Sequence, residues 1–220
     1  MNYTNQPKIK ALIFDLDGTL GNTLPLCIAA FRSSVEPLVN RSVSDEEIVA
    51  TFGPSEEGTI MALAPNFYEQ GVQDYLHYYE TMHHICPVAF EGVGELLEFL
   101  KTRNIKLAMV TGKGNFSTTI SLKKFGLEDF FECIETGSPS GPRKAEGINT
   151  VMGHWKEISK DEVLYIGDAP SDIEASRKAG VRVIAAAWAP TTDPAKLIST
   201  KPDEIFYSVN DFELWVRERI

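Results

Sequence analysis

Ile9-Lys10-Ala11-Leu12-Ile13-Phe14-Asp15-Leu16-Asp17-Gly18-Thr19 is the stretch that decides the fold. Ala11 to Phe14 form an apolar run long enough for a buried strand and too short for a helix. Asp15 and Asp17 follow at once, and Gly18 lets the chain turn. In an open α/β sheet, ligands sit just beyond the carboxyl ends of the strands. An apolar strand that ends in two acids therefore reads as the floor of an active site. Asp and Gly also end strands for purely local reasons, so the reading turns on whether other strands end in the same way.

Two others do. Lys106 to Val110 is a strand candidate that runs into Thr111-Gly112-Lys113-Gly114, and Val163 to Ile166 runs into Gly167-Asp168-Ala169-Pro170-Ser171-Asp172. Helical patterns cover Val93 to Arg103, Phe116 to Phe125, Ala145 to Trp155 and Asp211 to Arg219, with another opening at Asp168 to Asp172 and closed at Gly180. Further strands are expected over Cys133 to Thr136, Arg182 to Ala187 and Glu204 to Phe206, with an exposed loop over Ser138 to Pro142. Alternating strand and helix predicts an α/β fold, a Rossmann-like parallel sheet with helices on both faces.

Residues 22–87 break this rhythm. Thr23 with Pro25 is a helix start, and the helical spacing runs up to Pro37. Ser44 to Glu47 has the form of a capping box. Phe52-Gly53-Pro54 breaks that helix, a third begins near Ser55, and Tyr68 to Ile85 reads as one long helix. No strand is expected between Leu20 and Pro87. The chain thus divides into an α/β core domain, residues 1–21 and 88–220, and an inserted helical cap domain, residues 22–87, hinged near Gly21 and Val88 to Gly92.

Of the 220 residues, 43% are hydrophobic and 10% aromatic, enough for a sizeable core. A net charge of −10 argues against nucleic acid and against an anionic membrane surface as partners. Cys27, Cys86 and Cys133 are odd in number, scattered and without a CxxC, and read as reduced thiols of a cytoplasmic protein. Met1 to Pro7 show no signal-type apolar segment. The longest apolar run, Val181 to Ala189, is far too short to span a bilayer.

In a parallel sheet the three polar strand ends share one edge. That edge gathers Asp15, Asp17, Asp168 and Asp172, and acids at such range cannot all ionise without a cation. A hard divalent ion with oxygen ligands, Mg²⁺ above all, resolves this. Thr111 and Gly112, with the backbone N–H groups of their loop, suit phosphate oxygens. Lys144 at a helix start is the first candidate for a positive charge near the phosphate. Lys113 comes second, and the neighbouring Arg143 is held in reserve.

These motifs make the chain similar to the haloacid dehalogenase-like superfamily, in its phosphoglycolate phosphatase-like branch with a helical cap. Asp15-Leu16-Asp17-Gly18-Thr19 resembles the first motif, Thr111-Gly112 the second, Lys144 the third, and Gly167-Asp168 with Asp172 the fourth. The resemblance covers nearly the whole chain. It implies a Mg²⁺-dependent phosphatase for a small phosphorylated metabolite, monomeric or homodimeric. Asp15 would be the nucleophile that becomes an aspartyl phosphate, and Asp17 the acid and later the base. Asp15, the backbone carbonyl of Asp17, and Asp168 would hold Mg²⁺, with Asp172 close by. Thr111 and Lys144 would bind the phosphate. The chain departs from the family at Asn22, where an acid is frequent, and at Ala145, where Pro commonly follows the Lys. Two alternatives stay open: a sugar-phosphate mutase of the same fold, and a catalytically silent interaction protein.

Other patterns carry less. Gly112 to Ser117 resembles a dinucleotide fingerprint, but Ser117 replaces its third Gly and the strand is not the first of the fold. His77, His83, His84 and Cys86 lack a third ligand in helical phase and are expected to be solvated rather than zinc ligands. The Tyr68, Tyr75, Tyr78 and Tyr79 cluster reads as core and surface of the helical insert. The turn Phe52 to Gly58 contains Glu56 and Glu57 and no Lys or Arg. It therefore favours neutral, hydroxyl-rich leaving groups over phosphoglycolate.

Overall fold

The computed structural model describes residues 8–220, so the N-terminal stretch Met1 to Pro7 lies outside the described residues. The first strand, β1, covers Ala11–Phe14, and every residue of it is buried. It pairs in parallel with β2 (Lys106–Val110) on one side and β4 (Val163–Gly167) on the other, with Ala11 opposite both Lys106 and Val163. Strands β3 (Cys133–Glu135), β5 (Arg182–Ala186) and β6 (Glu204–Phe206) complete a six-stranded parallel sheet of order β3-β2-β1-β4-β5-β6. The chain builds outward from β1 to β3, then crosses back to β4. The seam between β1 and β4 is thus where the direction of winding reverses, the place where such sheets bind ligands.

The period-two alternation of a strand divides β1 between two cores. Leu12 and Phe14 face α5 (Val93–Thr102) and α10 (Val209–Arg217), with Leu97, Leu100 and Phe212 in the same cluster. Ala11 and Ile13 face α7 (Lys144–His154) and α8 (Pro170–Ala179), with Ile148, Val151 and Ile173. A strand covered on both faces has to be apolar throughout, which is why the run Ala-Leu-Ile-Phe shows no polar alternation. The resulting architecture is a Rossmann-like α/β fold.

Between β1 and α5 the chain is helical: α1 (Leu24–Val39), α2 (Asp45–Val49), α3 (Glu56–Leu63) and α4 (Tyr68–Thr81). The predicted capping box opens α2, with Ser44 and Glu47 each bonding the other's backbone N–H. These helices share a core of Leu26, Phe31, Val35, Ile60, Tyr75 and Tyr79. It also touches Ile120 and Phe125 of α6 (Asn115–Phe125).

Three boundaries differ from expectation. Helix α1 runs through Pro37 to Val39, although Pro37 has no N–H to give the Ser33 carbonyl, and Asn40 ends it in a left-handed conformation (φ 51°). The long helix from Tyr68 stops at Thr81, and a 3₁₀ turn over His83–Ile85 follows. That turn carries His83 inward, buried between Tyr79 and Phe125 with Nε2 3.1 Å from Ser121 Oγ. The expectation of a solvated histidine fails there and holds for the exposed His77 and His84. Finally, a short helix α9 (Pro194–Ser199), capped by Asp193 through the N–H groups of Ala195 and Lys196, is absent from the sequence reading. Among the described residues, no helix is long and apolar enough to cross a membrane.

Candidate active site

The carboxyl ends of β1, β2 and β4 form the floor. Asp15 follows β1 directly and is 3% exposed. Its Oδ1 accepts the N–H of Leu16 at 2.7 Å, and its Oδ2 meets Lys144 Nζ at 2.6 Å. Asp172, in the first turn of α8, is fully buried. It accepts from Lys144 Nζ, from the Tyr165 hydroxyl at 2.9 Å and from Ala169 N–H at 2.9 Å. Asp168 accepts from the Thr192 hydroxyl at 3.0 Å. Gly18, at φ +73°, is needed here because a Cβ would stand 2.0 Å from Asp168 Oδ2.

Asp15, Asp168 and Asp172 each place a carboxylate oxygen within 4.8 Å of the others. Burial pushes Asp15 up to about 6, against the pull of Lys144 and with a further push from Asp172 and Asp17. Burial, then Asp172 and Asp15, hold Asp168 well above the usual carboxylate range. Burial works against the charge on Lys144, but Asp15 and Asp172 more than offset it, so its ammonium form is favoured. One ammonium faces three acids, and all the candidate ligand atoms are oxygens. The donor set fits a hard divalent cation.

Asp17 lies apart from this trio. Its side chain accepts from the Thr23 hydroxyl and, at 3.1 Å, from Lys113 Nζ. Lys113 does not reach Asp15. It is 6% exposed, its Nζ lies 4.4 Å from the Tyr79 ring centre and 3.1 Å from Cys27 Sγ. Burial raises the Cys27 thiol to about 12, despite the neighbouring ammonium. Arg143 is likewise engaged elsewhere, donating to Glu135 Oε2 and the Thr136 carbonyl at 2.9 Å each. Of the three candidate cations, Lys144 alone contacts Asp15.

Thr111 and Gly112 line the same cavity. The expected cradle of N–H groups is partly used internally. Thr111 N–H bonds the Glu135 carbonyl, Lys113 N–H the Thr111 hydroxyl, and Gly114 N–H the Glu56 carboxylate at 2.6 Å. Gly112 N–H has no partner among the described residues. The loop after β3 presses on this one closely enough that a Cβ at Gly137 would sit 1.9 Å from the Gly112 carbonyl oxygen.

Glu56 departs most from expectation. Rather than pointing to solvent or toward a leaving group, it is 5% exposed and plugs the N-terminus of α6, bonding Gly114 N–H and the Ser117 hydroxyl at 2.6 Å each. The adjacent Ser55 N–H donates to the Ser138 carbonyl at 2.9 Å, so the loop expected to be exposed supports the helical insert. Thr23, Lys113, Tyr165 and Thr192 hold the acids in place. Thr23, Tyr165 and Thr192 were not legible as site residues, and Lys113, the second candidate for the cation at the phosphate, pairs with Asp17 instead. Each meets its partner only through the tertiary fold.

Residues 12–186 match the family model of haloacid dehalogenase-like hydrolases. The chain belongs to that family. It is 31% identical to pyrophosphatase PpaX of Bacillus pumilus, over 94% of this chain and 96% of that protein. It is 32% identical to pyrophosphatase PpaX of Listeria welshimeri, over 96% and 98% of the two chains. A haloacid dehalogenase-like hydrolase from Streptococcus pneumoniae superposes with a TM-score of 0.75 at 26% identity, covering 94% of this chain and 98% of that one. The protein is accordingly a hydrolase acting on phosphate esters.

Proposed function

We propose that the protein is a Mg²⁺-dependent phosphatase that hydrolyses a small phosphorylated metabolite through an aspartyl phosphate on Asp15. The observation that carries this reading is the Asp15 carboxylate on the cavity floor, 2.6 Å from Lys144, with Asp168 and Asp172 beside it. Asp15, Asp168 and the backbone carbonyl of Asp17 would hold the metal, with Asp172 close by. Bound there, Mg²⁺ would neutralise charge on the phosphoryl oxygens and align them for in-line displacement.

The protein's own groups divide the remaining work. Asp15 attacks phosphorus, the P–O bond to the leaving group breaks, and Lys144 balances the charge that moves from Asp15 to the phosphoryl oxygens. The Thr111 hydroxyl and Gly112 N–H take up those oxygens. Asp17, held by Thr23 and Lys113, gives a proton to the departing oxygen. It then takes one from the water that cleaves the acyl phosphate and releases inorganic phosphate. The helical insert, residues 22–87, acts as a cap over this chemistry. The relatives' names place inorganic pyrophosphate beside monoesters as a substrate to test.

Asp15→Asn, of nearly equal size but a poor nucleophile, is expected to fold normally and lose turnover. Retention of more than about a hundredth of the unmodified rate would reject Asp15 as nucleophile.

A further inference from the structure

The cavity above Asp15 has a volume of about 540 Å³, and its wall on the α1 side is aromatic. Leu24, Cys27 and Phe31, spaced three and four apart, line it from one face of α1. Tyr75 stacks on Phe31 with 4.2 Å between ring centres, and Phe52 leans on Phe31 at 5.9 Å. Phe52, 38% exposed, is the part of this wall most open to an incoming molecule. The Asp17 carboxylate stands at the foot of the wall, 4.0 Å from Cys27 Sγ. A group attached to the oxygen that Asp17 protonates therefore enters against these rings.

The charge balance of the cavity narrows the choice. Four cations line it among the described residues, and each already faces an acid. Lys144 is taken by Asp15 and Asp172, Lys113 by Asp17, Arg143 by Glu135, and Lys178 on the exposed rim by Glu146 at 3.5 Å. An anionic leaving group would give up its water without gaining a counter-charge. On this wall a hydroxyl-rich one finds little help either, since the Thr59 hydroxyl is turned to the Thr51 carbonyl; the polar Ser171 and Glu174 line the opposite, exposed α8 side of the cavity. A ring, by contrast, can lie against the exposed Phe52, with Phe31 and Tyr75, 3% and 1% exposed, forming the apolar floor behind it.

We propose that the site takes a phosphomonoester whose leaving group is uncharged and carries a flat apolar ring seated against Phe31, Phe52 and Tyr75. This inference rests on the phosphatase reading above. It separates the chain from an enzyme for pyrophosphate, whose leaving group is itself a phosphate.

The test compares kcat/KM for benzyl phosphate, propyl phosphate, phosphoglycolate and inorganic pyrophosphate with Mg²⁺ present. Benzyl and propyl phosphate both leave as simple alcohols, so their ratio reports the ring. Benzyl phosphate is expected to exceed each of the other three by about tenfold or more, the scale of one well-placed apolar contact. Phe52→Ala should collapse the benzyl-to-propyl ratio. Phe52→Arg should raise phosphoglycolate relative to benzyl phosphate by supplying the missing cation. Preference of the unmodified protein for pyrophosphate or phosphoglycolate, or equal rates for benzyl and propyl phosphate, overturns the inference and leaves the phosphatase reading standing. No phosphate release from any of the four overturns both.

Discussion

Asp15 and Asp17 are two residues apart, yet their surroundings differ. Asp15 shares Lys144 with Asp172, while Asp17 turns to Thr23 and the buried ammonium of Lys113. If Lys113 fixes Asp17 where the proton is delivered, Lys113→Met should act according to the leaving group. An alkyl phosphate, which needs a proton as it departs, is expected to lose about tenfold or more in kcat/KM, within the range of general acid catalysis. That ratio reports the phosphoryl transfer to Asp15 and not the later hydrolysis common to all esters. p-Nitrophenyl phosphate, whose phenolate leaves without a proton, should lose far less. Equal losses for both would make Lys113 a merely structural residue. Asp168→Ala is expected to raise the Mg²⁺ concentration for half-maximal activity by about tenfold or more, as for loss of a ligand or its close support. An unchanged Mg²⁺ titration would exclude Asp168 as a ligand. At this scale the sequence was legible for the acids and for Lys144, because each closes a strand or opens a helix at a fixed place in the motif. It offered Lys113 only as a second cation for the phosphate and not as the partner of Asp17, because Asp17, Cys27 and Tyr79 reach it from distant segments.

Among the elements, the joint between α3 and α6 matters most for how the insert sits on the sheet. Glu56 at the start of α3 satisfies the Gly114 N–H and the Ser117 hydroxyl at the start of α6, where a helix also favours negative charge. Glu56→Ala would leave two buried donors unpaired. It is expected to lower unfolding stability by about 1–3 kcal/mol, read as a lower urea midpoint at constant slope. An unchanged midpoint would show that water replaces the carboxylate at no cost. The sequence shows Ser55-Glu56-Glu57 as an ordinary helix start, and such acids usually face solvent. Nothing local distinguishes Glu56 from Glu57, which bonds the Ser55 hydroxyl instead. His83 escaped the sequence for the same reason, since its burial depends on Ser121 and Phe125 of α6. The strand and helix alternation, set by local periodicity, needed no such information.

For the whole molecule, the sheet supplies a fixed floor and the helical insert supplies the wall. Two chain segments near Gly21 and Val88 to Gly92 connect them, and the Glu56 and Ser55 contacts join them near the site. If the insert works as a moving cap, Mg²⁺ with beryllium fluoride, a phosphoryl mimic, should slow amide exchange in residues 52–58 and 112–117 together. The strands β1 and β4 should exchange as before. Protection confined to 112–117 would mean that the cap does not respond to the site. The central claim is that Asp15 carries the phosphoryl group, and acid quenching during turnover of a phosphate ester tests it most directly. Intact mass measurement should then find the unmodified protein heavier by one phosphoryl group, located on Asp15 and released by hydroxylamine, with no such species for Asp15→Asn. Turnover without any phosphorylated protein, or the same adduct in Asp15→Asn, would contradict the account.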